Sequence, residues 1–368
     1  MSELKIPVVR VKGTPFECGV SYGSQVSKLI NRNLEKYLER WELAWGATPA
    51  DIMAKAKTFI PSIAKFDAGI LDYMQGIATG SGLGLVEVIA LNARYEMSFS
   101  NPMQTMMPEG CTAIAAMPDA TRDGQTLLAQ NWDMFPEYAG LRVLVEVAMQ
   151  GKPAYATVCE AGVVCHRGMN VAGLGVCFNA LVSSVDRVEP RPPFQVIMAS
   201  MLQTDSIGLA LKKVLNADTV VSGNILCVHR DGEAFDLETS PGKVVTIYPE
   251  KGIIGHTNHF LNRTGRDGQI DLLRQRFPDT LIRYHRSKRL LEKEHGDITV
   301  ESFKNILKDH FNYPSSICRH ADLRDSPLDR LATAASTIMN MTEGIFYITD
   351  GNPCTDEYVE YKPQILMG

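Results

Sequence analysis

The stretch from Gly110 to Asp133 decides the fold and reads GCTAIAAMPDATRDGQTLLAQNWD. Its two strand-like runs, 112–118 and 126–133, flank a turn that contains an Asp-Gly pair, a common hairpin signal. A hairpin would return Asp133 to the start of the first strand, next to Cys111. A thiol at a strand end, exposed by the loop before it and with a polar partner across the hairpin, is a nucleophile arrangement.

A structural cysteine is the default alternative, and the other cysteines show why. The chain has eight cysteines, at positions 18, 111, 159, 165, 177, 227, 318 and 354. Most lie in apolar runs, where cysteine behaves as a small buried hydrophobic residue. No C-x-x-C pair or zinc-finger spacing occurs, and His256 and His259 lack the context of a zinc motif. No metal site is therefore expected.

Outward from the hairpin, the periodicity of the apolar residues changes near 98–110. Before this loop the pattern is mostly helical after a short strand near 8–11. After it, the pattern alternates with a period of two, interrupted by two pairs of helices. The predicted helices cover 24–45, 49–60, 62–79, 84–98, 193–203, 206–216, 279–295 and 299–310. The predicted strands cover 112–118, 126–133, 141–149, 154–160, 174–178, 224–229, 233–238, 243–248, 334–340 and 344–349.

This order of elements predicts an α+β protein rather than alternating βαβ units. Antiparallel strands with segregated pairs of helices bury their apolar faces when two sheets lie face to face. Helices would then cover the outside of each sheet.

Composition excludes several classes of protein. The 368 residues carry 37 Lys+Arg and 42 Asp+Glu, a net charge of −5, so no basic surface for nucleic acid is expected. No apolar run approaches the length of a membrane-spanning helix. The N-terminus lacks the apolar core of a secretory signal, and the C-terminus is not a peroxisomal address. Cytoplasmic residence is expected.

A second nucleophile motif occurs near the N-terminus. Gly19-Val20-Ser21-Tyr22-Gly23 matches the G-x-S-x-G pattern of serine hydrolases, so a serine esterase using Ser21 is an alternative. That motif must follow a core strand of a parallel sheet, and few residues precede it here. A glycine-rich turn entering a helix is the expected structure.

Gly110-Cys111-Thr112 followed by Gln130-Asn131-Trp132-Asp133 resembles the acyl-coenzyme A:6-aminopenicillanic acid acyltransferase family of N-terminal-nucleophile hydrolases. The resemblance extends to the segments 10–17, 256–259 and 316–319, and so covers nearly the whole chain. It implies a four-layer αββα sandwich and self-cleavage of an inactive precursor.

The family pattern implies a cut between Gly110 and Cys111. A helical N-terminal segment, 1–110, then becomes the small chain, and 111–368 becomes the catalytic large chain. The two chains are expected to stay associated. Glycine before the nucleophile would permit a strained backbone conformation that helps the thiol to attack the Gly110 carbonyl.

The resemblance also implies roles for individual residues. Cys111 is the nucleophile, and its freed α-amine is the base. Asn258 donates to the oxyanion. Asp133 and Arg319 bind the acceptor, Asp133 orienting an amine and Arg319 pairing with a carboxylate. Thr112 supports substrate binding, and Asn131 is a second choice beside it.

The implied reaction transfers an acyl group from a thioester enzyme to an amine or water, without a cofactor. Acyl-CoA is a candidate co-substrate, because exchange between thioesters is nearly isoenergetic. The expected partners are a small-molecule acyl donor and an amine acceptor, with no nucleic acid and no membrane. Homo-oligomer formation stays open, as does a non-catalytic binding protein on the same scaffold.

Overall fold

A computed structural model describes residues 4–98, 110–187, 189–262 and 269–366 of the protein. Within these ranges the strands are β1 Val8–Gly13, β2 Gly110–Ala116, β3 Leu127–Met134, β4 Arg142–Met149, β5 Tyr155–Glu160, β6 Arg167–Asn170, β7 Leu174–Ala180, β8 Gly223–His229, β9 Glu233–Ser240, β10 Lys243–Ile247, β11 Ile253–His256, β12 Ala332–Asn340, β13 Ile345–Thr349 and β14 Val359–Tyr361. They form two sheets. The larger is mixed and has eight strands in the order β1-β4-β5-β6-β7-β8-β9-β10. The smaller is antiparallel and has six strands in the order β11-β2-β3-β12-β13-β14.

Helices lie outside the sheets in three groups along the chain. The first group precedes β2, the second separates β7 from β8, and the third separates β11 from β12. The helices are α1 Pro15–Gln25, α2 Ser27–Trp45, α3 Pro49–Lys57, α4 Ile60–Phe66, α5 Ala68–Ser81, α6 Leu85–Asn92, α7 Arg94–Ser98, α8 Phe194–Leu202, α9 Ile207–Leu215, α10 Leu272–Arg276, α11 Asp279–Lys293 and α12 Val300–Leu307.

Three apolar layers hold these elements together. The largest joins the first two helix groups to the eight-stranded sheet, the second fills the space between the sheets, and the third lies under α11 and α12. Strand β2 contributes to all three, because successive side chains face opposite sides of a sheet and Cys111, near its start, belongs to the largest layer. Ala113 and Ala115 face the other sheet, whereas Ile114 and Ala116 face the helices. The predicted α+β class and four-layer αββα sandwich are confirmed.

The N-terminal segment is built into the larger sheet. Strand β1 pairs in parallel with β4, with Val8 opposite Leu144 and Gly13 opposite Met149. The helices that follow β1 cover the outer face of the same sheet. Residues 4–98 therefore share one core with the strands that follow them.

The glycines near the N-terminus serve helix packing. The prediction of a glycine-rich turn at 19–23 is wrong, because this segment lies inside α1, which begins at a Thr14 capping box. A Cβ on Gly19 would lie 2.1 Å from the carbonyl oxygen of Tyr73, and one on Gly23 would lie 2.3 Å from that of Ile77. The missing side chains allow α1 and α5 to pack backbone against backbone.

Within the described ranges, no single helix has the length and apolar character needed to cross a bilayer. Helices α5 and α6, bent by 116° at their junction, have that length and character only as a pair. Both helices contribute side chains to the largest apolar layer.

Candidate active site

The predicted hairpin is confirmed, and its register places the residues of the proposed site. Strands β2 and β3 are antiparallel, with Gly110 opposite Asp133, Cys111 opposite Trp132 and Thr112 opposite Asn131. Asp133 therefore lies across from Gly110, the residue before the thiol. The carboxylate adjoins the predicted cleavage site rather than standing directly across from Cys111.

Cys111 is buried, so the expectation of an exposed thiol is wrong for the continuous chain. Only 1% of the residue is accessible, and it belongs to the same apolar layer as Trp132. The reason is its position as the second residue of β2, which begins at Gly110 and is buried throughout its length. Access to the thiol requires the backbone at this end of the strand to move.

Gly110 is needed for close packing rather than for a strained backbone. Its φ is not in the left-handed region, unlike that of glycines such as Gly124 and Gly140. A Cβ on Gly110 would lie 2.8 Å from Oδ2 and 3.0 Å from Cβ of Asp133. The absent side chain lets the carboxylate lie against the peptide that precedes Cys111.

Asn258 holds the backbone nitrogen of Cys111. The Cys111 N–H donates to Asn258 Oδ1 at 2.7 Å, and Asn258 Nδ2 donates to the Ala180 carbonyl at 3.1 Å. The Asn258 N–H donates to Thr280 Oγ1 at 2.8 Å, which ties the loop after β11 to α11. An amide nitrogen carries two hydrogens, so the Ala180 contact leaves one for a reacting oxygen.

Arg283 is the main site residue that the sequence analysis missed. Its guanidinium donates to the Cys111 carbonyl, to Thr112 Oγ1 at 3.1 Å and to Asn258 Oδ1 at 3.0 Å. Only 1% of Arg283 is accessible, and Asp279 accepts from its Nε at 2.9 Å. In sequence, the Asp279–Arg283 spacing resembles an ordinary surface ion pair on a helix, so no local signal marks the pair.

Asp279 also connects Arg283 to Arg319. Arg319 Nη2 donates to Asp279 Oδ2, and Arg319 Nε donates to Asp133 Oδ2 at 3.3 Å. Arg319 Nη1 lies 3.5 Å from Ser315 Oγ. The planar fork that was predicted to bind an acceptor carboxylate thus already contacts two carboxylates of the protein.

Burial dominates the electrostatics of Asp133. It raises the pKa of this carboxyl above its usual value, and Arg319, Arg283 and the Thr333 hydroxyl oppose the increase. The Thr333 hydroxyl donates to Asp133 Oδ1 at 2.7 Å. Both oxygens of Asp133 are therefore held in place, and its ionised form depends on these neighbours.

Thr112 and Asn131, the two residues predicted to support the site, have different neighbours. Thr112 faces α11 and accepts from Arg283. Asn131 donates to the carbonyls of Leu307 and Ile317 at 2.8 and 2.9 Å, which joins β3 to the α12 region. Asn131 therefore supports the backbone that leads to Arg319.

A second buried arginine lies on the side of Cys111 that faces the larger sheet. The Arg167 guanidinium stacks 4.8 Å from the centre of the Trp132 ring, and its Nη1 donates to Gln130 at 3.3 Å. Burial lowers the pKa of Arg167 to about 10, against the opposing influence of the Cys177 and Cys111 thiols. A positive charge here would stabilise a thiolate at Cys111.

His256 and His259 do not share a ligand position. His256 Nε2 lies 3.0 Å from Glu238 Oε1, whereas His259 Nδ1 lies 3.0 Å from Thr280 Oγ1. Burial acts to lower the pKa of His256, but Asp236 and Glu238 together raise it to about 9. The raised pKa favours the protonated form of this histidine, which lies next to the loop that carries Asn258.

The Ser21 alternative finds no support in its surroundings. Ser21 is in the middle of α1, and its Oγ accepts from Gln25 Nε2 at 3.0 Å. A serine nucleophile requires a strand–turn–helix elbow and a base within reach. A position inside a helix provides no such elbow.

Comparisons with known proteins find relatives of this chain in sequence and in structure. The family model described as acyl-coenzyme A:6-aminopenicillanic acid acyl-transferase matches residues 120–353. The chain is 27% identical over 314 residues to the 40 kDa form of acyl-coenzyme A:6-aminopenicillanic-acid-acyltransferase of Emericella nidulans, covering 84% of each chain.

Solved structures with some likeness include a bile acid hydrolase and a penicillin acylase. A mutant conjugated bile acid hydrolase from Clostridium perfringens aligns with a TM-score of 0.47 and 15% identity, covering 69% of this chain and 97% of that one. Penicillin V acylase from Agrobacterium tumefaciens aligns with a TM-score of 0.43 and 13% identity, covering 65% and 83%. The fold assignment rests on the layers described above.

Proposed function

The chain belongs to the acyl-coenzyme A:6-aminopenicillanic acid acyl-transferase family, and on this premise we propose that it is a self-processing cysteine enzyme. Its reaction is the transfer of an acyl group to an amine or to water, so the enzyme is an acyltransferase or a linear amide hydrolase. The observation that carries the proposal is the 2.7 Å hydrogen bond from the Cys111 N–H to Asn258 Oδ1.

Processing begins at the Gly110–Cys111 peptide bond. The Cys111 thiolate attacks the Gly110 carbonyl carbon, a C–S bond forms, and the C–N bond breaks as the nitrogen takes a proton. Water then hydrolyses the thioester to a carboxylate on Gly110 and restores the thiol. The closeness of Asp133 to Gly110 supports a role for this carboxyl in moving the proton.

The proposed products are a small chain, 1–110, and a large chain, 111–368. The pairing of β1 with β4 and the shared apolar layer support continued association of the two chains after the cut. Cleavage also frees the carbonyl end of Gly110 from Cys111. Its departure from the start of β2 would give an acyl donor access to the thiol.

In the mature enzyme, Asn258 would keep the new α-amine in place. An amine can donate one hydrogen to Asn258 Oδ1 and retain a lone pair to accept the thiol proton. Its reference pKa of about 7.7–8.0 suits proton transfer near neutral pH. Arg283, which donates to the same Oδ1, disfavours a second positive charge at the amine.

Acyl transfer then follows through a thioester on Cys111. The proposed oxyanion donor is the remaining N–H of Asn258 Nδ2. Asp133 orients the incoming amine, with Thr112 and Arg319 lining the acceptor side. Acyl-CoA remains a candidate donor, because the thioester enzyme forms from it at little cost in free energy.

The direct test is to trap the acyl-enzyme. Purified protein is mixed with a short-chain acyl-CoA, and the reaction is quenched in acid. The protein is then digested, and the mass of the peptide that begins at Cys111 is measured by mass spectrometry. An acyl adduct on Cys111 is the expected result, and Cys227→Ala should not change it. A cleaved but never acylated Cys111 would contradict the proposed donor class. An intact Gly110–Cys111 bond without thiol reactivity would instead support a binding protein on this scaffold.

Cytoplasmic residence and homo-oligomer formation stay predictions. A fluorescent fusion and the mass of the protein in solution would test them. Neither bears on the chemistry proposed for Cys111.

A further inference from the structure

Two histidines and two cysteines meet at a second place in the molecule, away from the Cys111–Asn258 contact. His310, Cys318, His320 and Cys354 each offer one ligand atom, and these four atoms all lie within 4.8 Å of one another. The residues come from three parts of the chain, namely the segment after α12, the segment before β12 and the segment between β13 and β14.

The geometry points to a structural zinc site, which we propose for these four residues. Zinc bound to two cysteines and two histidines is tetrahedral, with Zn–N of about 2.0–2.1 Å and Zn–S of about 2.3 Å. Such lengths place the ligand atoms about 3.4 Å apart for N···N and about 3.6 Å apart for N···S.

The distances in the structure are close to these values. His310 Nε2 lies 3.1 Å from His320 Nε2. His320 Nε2 lies 3.7 Å from Cys318 Sγ and 3.4 Å from Cys354 Sγ. An N₂S₂ set favours zinc over the hard cations magnesium and calcium, which take oxygen ligands.

The surroundings hold the ligands in these positions. The Tyr313 ring packs against both imidazoles, with ring centres 5.9 Å from His310 and 5.2 Å from His320. Asn352 Nδ2 donates to Cys318 Sγ at 3.5 Å, the kind of second contact that orients a metal-bound thiolate. Four protein ligands leave no open coordination position, so the metal would be structural rather than catalytic.

The position of the cluster gives it a consequence for the acceptor side of the site. Arg319 stands between the ligands Cys318 and His320, and Asn352 also donates to the Arg319 carbonyl at 2.6 Å. A metal that joins Cys318 and His320 to Cys354 would fix the backbone of Arg319, whose side chain contacts Asp133. Zinc would therefore be a positioning element for Arg319.

Sequence spacing alone does not show this cluster. Cys318 and His320 are two positions apart, and the other two ligands lie at 310 and 354. Zinc motifs read from sequence rely on two closely spaced pairs. The convergence here comes from the tertiary structure.

Metal analysis tests the proposal independently of any acyl-transfer activity. Protein made without a histidine tag, in medium supplemented with zinc, should contain about one zinc ion per chain. His310→Ala and Cys354→Ser should lose that zinc and still fold, because His310 is exposed and Cys354 is half-buried. His285→Ala and Cys227→Ala are matched controls that should retain it, His285 being exposed on α11.

Cobalt provides a second measurement on the wild-type chain. Replacement of zinc by Co²⁺ should give the visible absorption of a tetrahedral cobalt–thiolate centre, and Cys354→Ser should not. A strong chelator should lower the Tm of the wild type but not that of Cys354→Ser. Wild-type protein that binds neither metal would overturn the proposal, as would a Cys318–Cys354 disulfide in place of the metal or zinc retained by both ligand variants.

Discussion

The backbone nitrogen of Cys111 and the side-chain oxygen of Asn258 are joined by a 2.7 Å hydrogen bond across 147 positions of sequence. A cut before Cys111 would turn this nitrogen from an amide into an amine without moving its partner. The same contact can therefore serve the precursor and the processed enzyme. Arg283 donates to Asn258 Oδ1 and to the Cys111 carbonyl, so it holds both residues of this hydrogen bond in position.

Self-cleavage should depend on the Cys111 thiol. Wild-type protein should separate into fragments of about 12 and 28 kDa, in proportion to 110 and 258 of the 368 residues and the 40.6 kDa mass. Cys111→Ala should remain a single chain, because no thiol is left for the acyl shift. Intact mass spectrometry reads both results, with Cys177→Ala as the control. Cleavage of Cys111→Ala after Gly110 would exclude attack by this thiol.

Gly110→Ala should slow processing through crowding at Asp133. The added Cβ would lie 2.8 Å from Asp133 Oδ2 and force the carboxylate or the strand to shift. Overpacking of this kind costs about 1–3 kcal/mol. If the transition state of cleavage carries this cost, the cleavage rate falls by roughly ten-fold. The half-time of cleavage after synthesis is the measurement. Gly208→Ala is the matched control, since a Cβ there meets nothing within 4 Å. Equal cleavage rates for the two variants would show that Asp133 takes no part in processing.

Asn258→Asp should separate the two roles of this side chain. The variant keeps an oxygen that accepts from Cys111 but loses the Nδ2 donor. Loss of one oxyanion donor lowers kcat by about 100- to 1,000-fold. Acyl-enzyme formation by cleaved protein is the readout, with the folded state checked by Tm. Full acylation activity in Asn258→Asp would assign the oxyanion to other donors.

Arg319→Lys should lower the rate of acyl transfer to the amine acceptor by roughly ten-fold or more, since an ammonium lacks the planar fork of the guanidinium. Hydrolysis of a simple acyl thioester, which needs no acceptor, should be largely spared, as should cleavage at Gly110. Arg324→Lys is the control, because that side chain is 81% exposed and pairs with Asp322.

The contacts of Arg319 with Asp133 and Asp279 suggest the competing result. If acceptor-dependent transfer and acceptor-free hydrolysis fall equally in Arg319→Lys, the residue positions Asp133 and does not bind an acceptor carboxylate. The acceptor site would then lie elsewhere.

Stability should decline at alkaline pH through His256. The folded-state pKa of about 9 lies above the usual 6.5, because Asp236 and Glu238 face this histidine and outweigh the effect of its burial. A raised pKa contributes stability that is complete below pH 6.5 and is lost as the pH rises through about 9. The loss is on the order of a few kcal/mol. Urea unfolding across this pH range should show it in the wild type and much less in His256→Gln. Identical pH profiles for the two proteins would contradict this assignment.

Several elements could be predicted because their signals are local. Alternation of apolar residues over 112–118 and 126–133 predicts a hairpin, whose second strand must end near the start of the first. That is enough to place Asp133 beside the start of β2. Strand β11, only four residues long, was missed, because a short apolar run has no periodicity of its own. Its pairing with β2 is what brings Asn258 to Cys111.

The sequence by itself determined the layered α+β architecture, the hairpin and the nucleophile candidate. The architecture follows from the order of elements along the chain, and the other two follow from the spacing of side chains within one segment. Only the tertiary structure decided that Cys111 is buried, that Arg283 and Asp279 join Asn258 to Arg319, and that His310 and Cys354 meet Cys318 and His320. These contacts connect helices, strands and loops far apart in the chain. Their distances depend on how the layers pack, and this packing cannot be predicted from the spacing of residues along the sequence.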